Sequence, residues 1–248
     1  MASTKTAIEW TDKTWNPTTG CNKVSPGCKH CYAETITKRF PNNFPNGFKF
    51  TLREDRINEP KRWRAPSMVF VNSMSDLFHE QMPLNYLKRI FDVMTACPQH
   101  TFQILTKRHE RLVELAPLLA WPDNVWMGVS VENQKYAHRV DHLRQVPAKI
   151  RFLSCEPLLG PLELDLTGIH WVITGGESGP KHRPIKEEWV RSIRDQCEVV
   201  GVAFFHKQWG GARPKSKGRL LDGEVHDAMP IPWVEHAHQR IELPLVLQ

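Results

Sequence analysis

The sequence predicts an α/β fold: a full or partial (β/α) TIM-like barrel with about six to seven parallel strands. Three observations carry this expectation. Short apolar runs alternate with amphipathic stretches along the chain. Each run is nearly continuous in hydrophobicity, as strands covered on both faces are. A short polar cluster follows each run, where a parallel architecture places its functional loops. The length, 248 residues, suits one such barrel. The chain therefore reads as a single domain, 1–248, with an insertion around 40–65 and a C-terminal appendage at 207–248.

Taken in order, a weaker first strand lies around Thr14–Thr19, followed by a cysteine-rich loop that leads into a helix. The segment Phe40–Ala65 has three prolines and several Arg and Lys, which reads as an irregular insertion. Candidate strands then follow at Met68–Asn72, Thr101–Leu105, Val125–Val129, Ile150–Leu153, His170–Thr174 and Ala203–His206. Between them lie helical patterns. Leu84–Ala96 places Leu87, Ile90, Phe91 and Met94 on one face, with Pro83 suited to the first turn. Glu110–Leu119, Asn133–Gln145 and Ile185–Val200 are patterned similarly. Strand and helix in alternation predict a parallel sheet with right-handed crossovers. A doubly wound open sheet would show the same periodicity.

Hydrophobic residues at 40% and charged residues at 24% exclude wholesale disorder. No apolar stretch approaches the roughly 18 residues of a spanning helix, so no membrane partner is expected. The N-terminus lacks the apolar core of a secretory signal, and a cytoplasmic location is the expectation. Lys plus Arg outnumber Asp plus Glu by 33 to 27, a net charge of +6 that suits phosphate-rich partners. The densest basic run is Arg213–Arg219; it reads either as a phosphate contact or as a solvated charge run. Nine tryptophans fit either core packing or stacking on bases.

The polar clusters fall at strand ends: Asn72–Asp76, Thr106–Arg108, Ser130–Glu132, Ser154–Pro157, Gly175–Ser178 and Lys207–Gly210. Loops are polar in any protein. Six successive clusters, three of them carrying Glu, nevertheless define one rim that reads as an active site. Cys155 has no adjacent base and reads as a buried strand-end thiol rather than a nucleophile.

Six cysteines are present. Cys97, Cys155 and Cys197 are isolated in apolar or helical segments. Cys21, Cys28 and Cys31 lie within eleven residues, with Pro26 and Gly27 supplying the turn that folds Cys21 back toward the pair. A helix starting after Cys31 would favour thiolate charge there. In a reducing compartment such a cluster points to metal rather than disulfide. Three ligands suit a [4Fe–4S] cluster with one iron open. Structural zinc completed by His30 or a remote His, or three thiols without metal, are the other readings.

A three-cysteine loop after the first strand of a (β/α) barrel resembles the radical S-adenosylmethionine superfamily. More closely, the chain resembles a phage and prophage family of three-cysteine-motif, radical-SAM-like proteins of unassigned function. The resemblance rests on Trp15–Cys21, Cys28–Ala33, Ser154–Leu158, Gly175–Gly179, Lys207–Gly211 and Leu220–Gly223. The six-residue gap between Cys21 and Cys28 departs from the three-residue gap usual in the superfamily.

The resemblance implies a cluster on Cys21, Cys28 and Cys31 that binds S-adenosylmethionine and cleaves it reductively, with an electron donor as partner. By rim position, Ser73, Ser75 and Asp76 would then hold the methionine ammonium, and Ser130 and Glu132 the ribose hydroxyls. Gly175 and Gly176 would let backbone approach the cofactor. Glu156, Glu177, Lys207 and Trp209 would face the substrate, expected to be a nucleotide or nucleic acid. The alternatives are a nucleic-acid-binding protein with a structural zinc site, or a cluster-binding barrel without catalysis.

Overall fold

The computed structural model describes residue 6, residues 8–213 and residues 215–230. The chain enters through β1 (Lys13–Trp15) and β2 (Thr18–Thr19), and α1 (Tyr32–Arg39) follows the cysteine loop. Next come β3 (Thr51–Leu52), β4 (Met68–Val71), α2 (Leu84–Thr95), β5 (Thr101–Thr106) and α3 (His109–Leu115). The remainder is β6 (Val125–Ser130), α4 (Arg139–Arg144), β7 (Ile150–Cys155), β8 (Trp171–Gly175), α5 (Glu187–Val200) and β9 (Ala203–Gln208).

Seven strands form one sheet in the order β1-β4-β5-β6-β7-β8-β9, and every neighbouring pair is parallel. Strands that follow one another in space as they do in sequence, with helices between, make a partial TIM-like barrel. It is a half-barrel whose edges are β1 and β9. The expected first strand is divided in two: β1 joins the sheet, whereas β2 turns away and pairs antiparallel with β3 of the 40–65 insertion.

Side-chain alternation separates two cores. Val69 and Val71, Val125, Met127 and Val129, and Val172 pack toward the helices. Met68 and Phe70, Trp126, Ile150 and Phe152, Trp171 and Ile173, and Phe205 pack on the opposite, concave face. Trp10 closes the concave core, with its ring 4.8 Å from Phe70 and 6.1 Å from Trp171. All eight described tryptophans are buried or packed against these cores, so their number reflects packing.

Helices differ from expectation where polar residues compete with the backbone. Over Asn133–Gln145 the predicted helix is a short 3-10 turn, Gln134–Tyr136, and then α4. Asn133 Oδ1 accepts from Lys135 N at 3.1 Å, which holds a tight turn in place of a first α-turn. Glu110–Leu119 likewise ends early, because Pro117 lies in the 3-10 turn Ala116–Leu118. Of the expected appendage, residues beyond 230 lie outside the described residues.

Candidate functional site

The cysteine loop crosses the C-terminal end of the half-barrel. Gly20 N donates to Met74 O at 2.9 Å, Ser75 Oγ donates to Gly20 O at 2.7 Å, and Cys21 N donates to Phe48 O at 3.1 Å. The loop entry is thus pinned between the end of β4 and the insertion. The Ser-Pro-Gly-Cys sequence then closes a 3-10 turn, Pro26–Cys28, with Cys28 N on Ser25 O at 3.0 Å. Cys31 is the N-cap residue of α1, at the positive end of that helix and without a side-chain cap bond. Cys21, Cys28 and Cys31 are free and half-buried; Cys97, Cys155 and Cys197 are free and buried.

The rim residues form the bed of this loop. Glu132 is fully buried; Arg139 Nη1 donates to its Oε2 at 2.9 Å, and Ser25 Oγ donates to its Oε1. Gly27 is required above it, since a Cβ there would lie 2.4 Å from Glu132 Oε1. Glu177 accepts from Arg183 Nε at 2.9 Å and Arg183 N at 2.8 Å, while Arg183 Nη2 reaches Pro26 O at 3.0 Å. Burial would push the Glu177 carboxyl up, yet the bonds and charge of Arg183 together hold it below the usual range. Ser73 Oγ donates to Asn16 Oδ1 at 3.2 Å, and Ser73 O accepts from the Tyr32 hydroxyl of α1.

Asp76 accepts from Thr106 Oγ1 at 2.7 Å, Phe78 N at 2.9 Å and Lys107 N at 3.2 Å. Ser130 Oγ accepts from Lys107 Nζ at 2.9 Å. Lys207 Nζ bonds both oxygens of Glu156, at 2.8 and 3.0 Å, and Gly175 leaves space beside that carboxylate. At Gly176 a Cβ would lie 2.2 Å from Trp209 O, so the glycine there serves the approach of two backbone segments. Trp209 itself donates to Leu220 O at 2.8 Å and packs on His206. Glu132 and Ser75 thus bond the cysteine loop directly, and Glu177 reaches it through Arg183. Ser130, Glu156, Lys107 and Lys207 are left around the mouth.

Arg108, in the Thr106–Arg108 rim cluster, reaches the first cysteine. Its Nη2 lies 3.5 Å from Cys21 Sγ and 3.4 Å from Asn22 O, and its Nη1 pairs with Glu80 Oε2 at 3.1 Å. Burial, with Asp76 adding, pushes the Cys21 thiol up to about 12, and the guanidinium of Arg108 opposes the rise. Ser25 Oγ lies 3.7 Å from Cys28 Sγ. A cation at one sulfur, a hydroxyl at the second and a helix N-terminus at the third suit a group bound through thiolates. Among the described residues no set of three or more His, Cys, Asp or Glu is arranged to hold a single metal ion. Arg139 and Arg183 gave no sequence signal, because nothing local distinguishes a buried arginine clamp from a solvated one.

Fold and site together define a parallel α/β half-barrel with a clamped three-cysteine loop at its C-terminal rim. The chain belongs to the family described as a protein of unknown function (DUF5131), whose model matches residues 5–230. Among curated proteins no match is found. A solved structure of a spore photoproduct lyase double mutant with bound AdoMet and dinucleoside spore photoproduct is similar at 12% identity and a TM-score of 0.47. That similarity covers 75% of this chain and 61% of the lyase chain. No helix among the described residues is long and apolar enough to cross a membrane.

Proposed function

We propose that this protein is a radical S-adenosylmethionine-type iron–sulfur enzyme whose whole chain works as one barrel domain in the cytoplasm. Cys21, Cys28 and Cys31 would hold a [4Fe–4S] cluster, and S-adenosylmethionine would bind at the remaining iron. One observation carries the reading: three free, half-buried thiols share a loop clamped across the C-terminal rim, with a guanidinium on the first. When bound, the cluster and its cofactor supply one-electron reductive cleavage of a carbon–sulfur bond, with the electron drawn from an external donor.

The chain's own residues do the rest. Arg108 offsets negative charge at Cys21. The Glu132–Arg139 and Glu177–Arg183 pairs brace the loop that carries the three cysteines through Ser25 and Pro26. At the rim, Lys107 on Ser130 and Lys207 on Glu156 supply two ammonium groups. Such a pair suits a substrate bearing phosphate, which favours a nucleotide or nucleic acid.

The reading is tested by iron, sulfide and visible absorption on protein purified without oxygen. Brown protein with about four iron and four sulfide per chain, lost in Cys28→Ala, is the expected result. Reductive cleavage of S-adenosylmethionine should accompany it. One zinc per chain with no visible charge-transfer band would overturn it, in favour of nucleic-acid binding by a zinc-stabilised fold.

A further inference from the structure

The 40–65 insertion forms one side of an open cavity of about 660 Å³ against β2. It extends to Thr19, two residues before Cys21, and is walled by Asn42, Asn43, Phe44, Asn46, Arg53 and Arg56, among others. The insertion is fixed to the cysteine loop by Cys21 N on Phe48 O and by the β2–β3 pairing, so cavity and loop form one rigid neighbourhood.

The wall has three kinds of group. Asn42 and Asn43 present exposed amides, whereas Asn46 Nδ2 is turned to Thr51 Oγ1 at 3.3 Å. Phe44 presents a half-buried ring. Arg53 holds Asp55 with two bonds, at 3.0 and 2.9 Å. Arg56 is left with the same carboxylate oxygen at 3.7 Å, beyond hydrogen-bond range. Glu59 acts on Arg56 only at longer range. Burial, reinforced by Arg53 and opposed by Asp55 and Glu59, pushes the Arg56 guanidinium below its ordinary value. Two guanidiniums thus share the Asp55 carboxylate, and Arg56 keeps no carboxylate within hydrogen-bond distance. The cavity volume lies within the range of small-ligand sites.

We propose that this cavity is a nucleotide subsite in which Arg56 takes the phosphate, Phe44 stacks on the base and the amides of Asn42 and Asn43 read the base edge. Guanidinium binds phosphate in charge-assisted, often bidentate geometry. A planar ring accepts any base face, and amide side chains match base donors and acceptors. The inference rests on the proposed function for its nucleotide class and adds a second phosphate contact, apart from Lys107 and Lys207.

The test is equilibrium binding by calorimetry to the full chain purified without oxygen. The probes are the four 5′-ribonucleoside monophosphates, their nucleosides, inorganic phosphate and a single-stranded dodecanucleotide. At least one monophosphate should bind about tenfold tighter than its nucleoside, and phosphate should compete with it. Arg56→Gln should weaken the monophosphate by about tenfold and leave the nucleoside unchanged. Asn43→Asp, a change on the exposed lip, should weaken the monophosphate too. A tighter dodecanucleotide identifies the phosphate as that of a strand; a tighter monophosphate identifies it as that of a free nucleotide. Equal affinity for monophosphate and nucleoside, or monophosphate binding unmoved by both variants, overturns the subsite. Iron measured on the same samples separates the two readings. Iron without nucleotide binding sinks the subsite alone, and nucleotide binding without iron sinks the cluster alone.

Discussion

Glu132 and Arg139 are both buried, and the pair lies directly under Gly27 of the cysteine loop. A charge left alone at such a place is costly. Replacing Arg139 by Met should lower stability by about 3–5 kcal/mol in chemical denaturation, and the double replacement with Glu132→Gln should lose less than the two single changes summed. The single variant should also lose iron, because Ser25 shares the same carboxylate. Cys21 offers a second check. A thiol pushed up to about 12 holds little thiolate near neutrality. In metal-free protein at pH 8 it should be alkylated more slowly than free cysteine, as followed by peptide mass spectrometry. Removing the opposing cation through Arg108→Gln should slow it further.

At the scale of elements, the ends of β8 and β9 meet so closely that no side chain fits between them at Gly176. Gly176→Ala places a methyl group 2.2 Å from a backbone oxygen, which flexible side-chain movement cannot relieve. We expect a loss of about 1–3 kcal/mol and a lower midpoint in urea. Gly168→Ala serves as the comparison: nothing lies within 4 Å of its Cβ, and only its φ of +71° opposes the change. The apolar runs locate the strand middles; β4 stops one residue before Asn72, whereas β5, β6, β7 and β9 run on past the expected ends. Thr106, Ser130, Ser154, Cys155 and Gln208 all continue the ladder as residues that the polar-cluster criterion assigns to loops. In a parallel half-barrel the backbone stays paired up to the rim while side chains turn polar, so hydropathy marks the strand end too early.

The whole molecule carries a pH dependence from the buried His206 and the half-buried His109. Burial, more than any neighbouring charge, depresses His206 and His109 to about 4. His206 is fully buried, and its Nδ1 lies 2.9 Å from Thr174 Oγ1. For a group with folded pKa below the unfolded value of 6.5, the unfolded state binds the proton first. The stability it contributes is therefore present above pH 6.5 and is lost as pH falls toward about 4. Thermal scans between these limits should show the midpoint falling with pH, and His206→Asn should flatten part of the slope. An unchanged midpoint across the interval would contradict a neutral buried ring.

Local sequence determined the α/β class, the run of parallel strands, the polar rim and the grouping of three cysteines on one loop. These follow from hydrophobic periodicity, turn residues and spacing, all of which act over a few positions. Tertiary structure alone decided that the barrel is open, that the tryptophans fill cores, and which polar side chains face the loop and which the mouth. Arg108 meets Cys21 across 87 positions of chain, and Arg183 meets Pro26 across 157. Neither meeting leaves a periodic trace, because a buried charge is satisfied by whichever partner the folded backbone brings within reach, however distant in sequence.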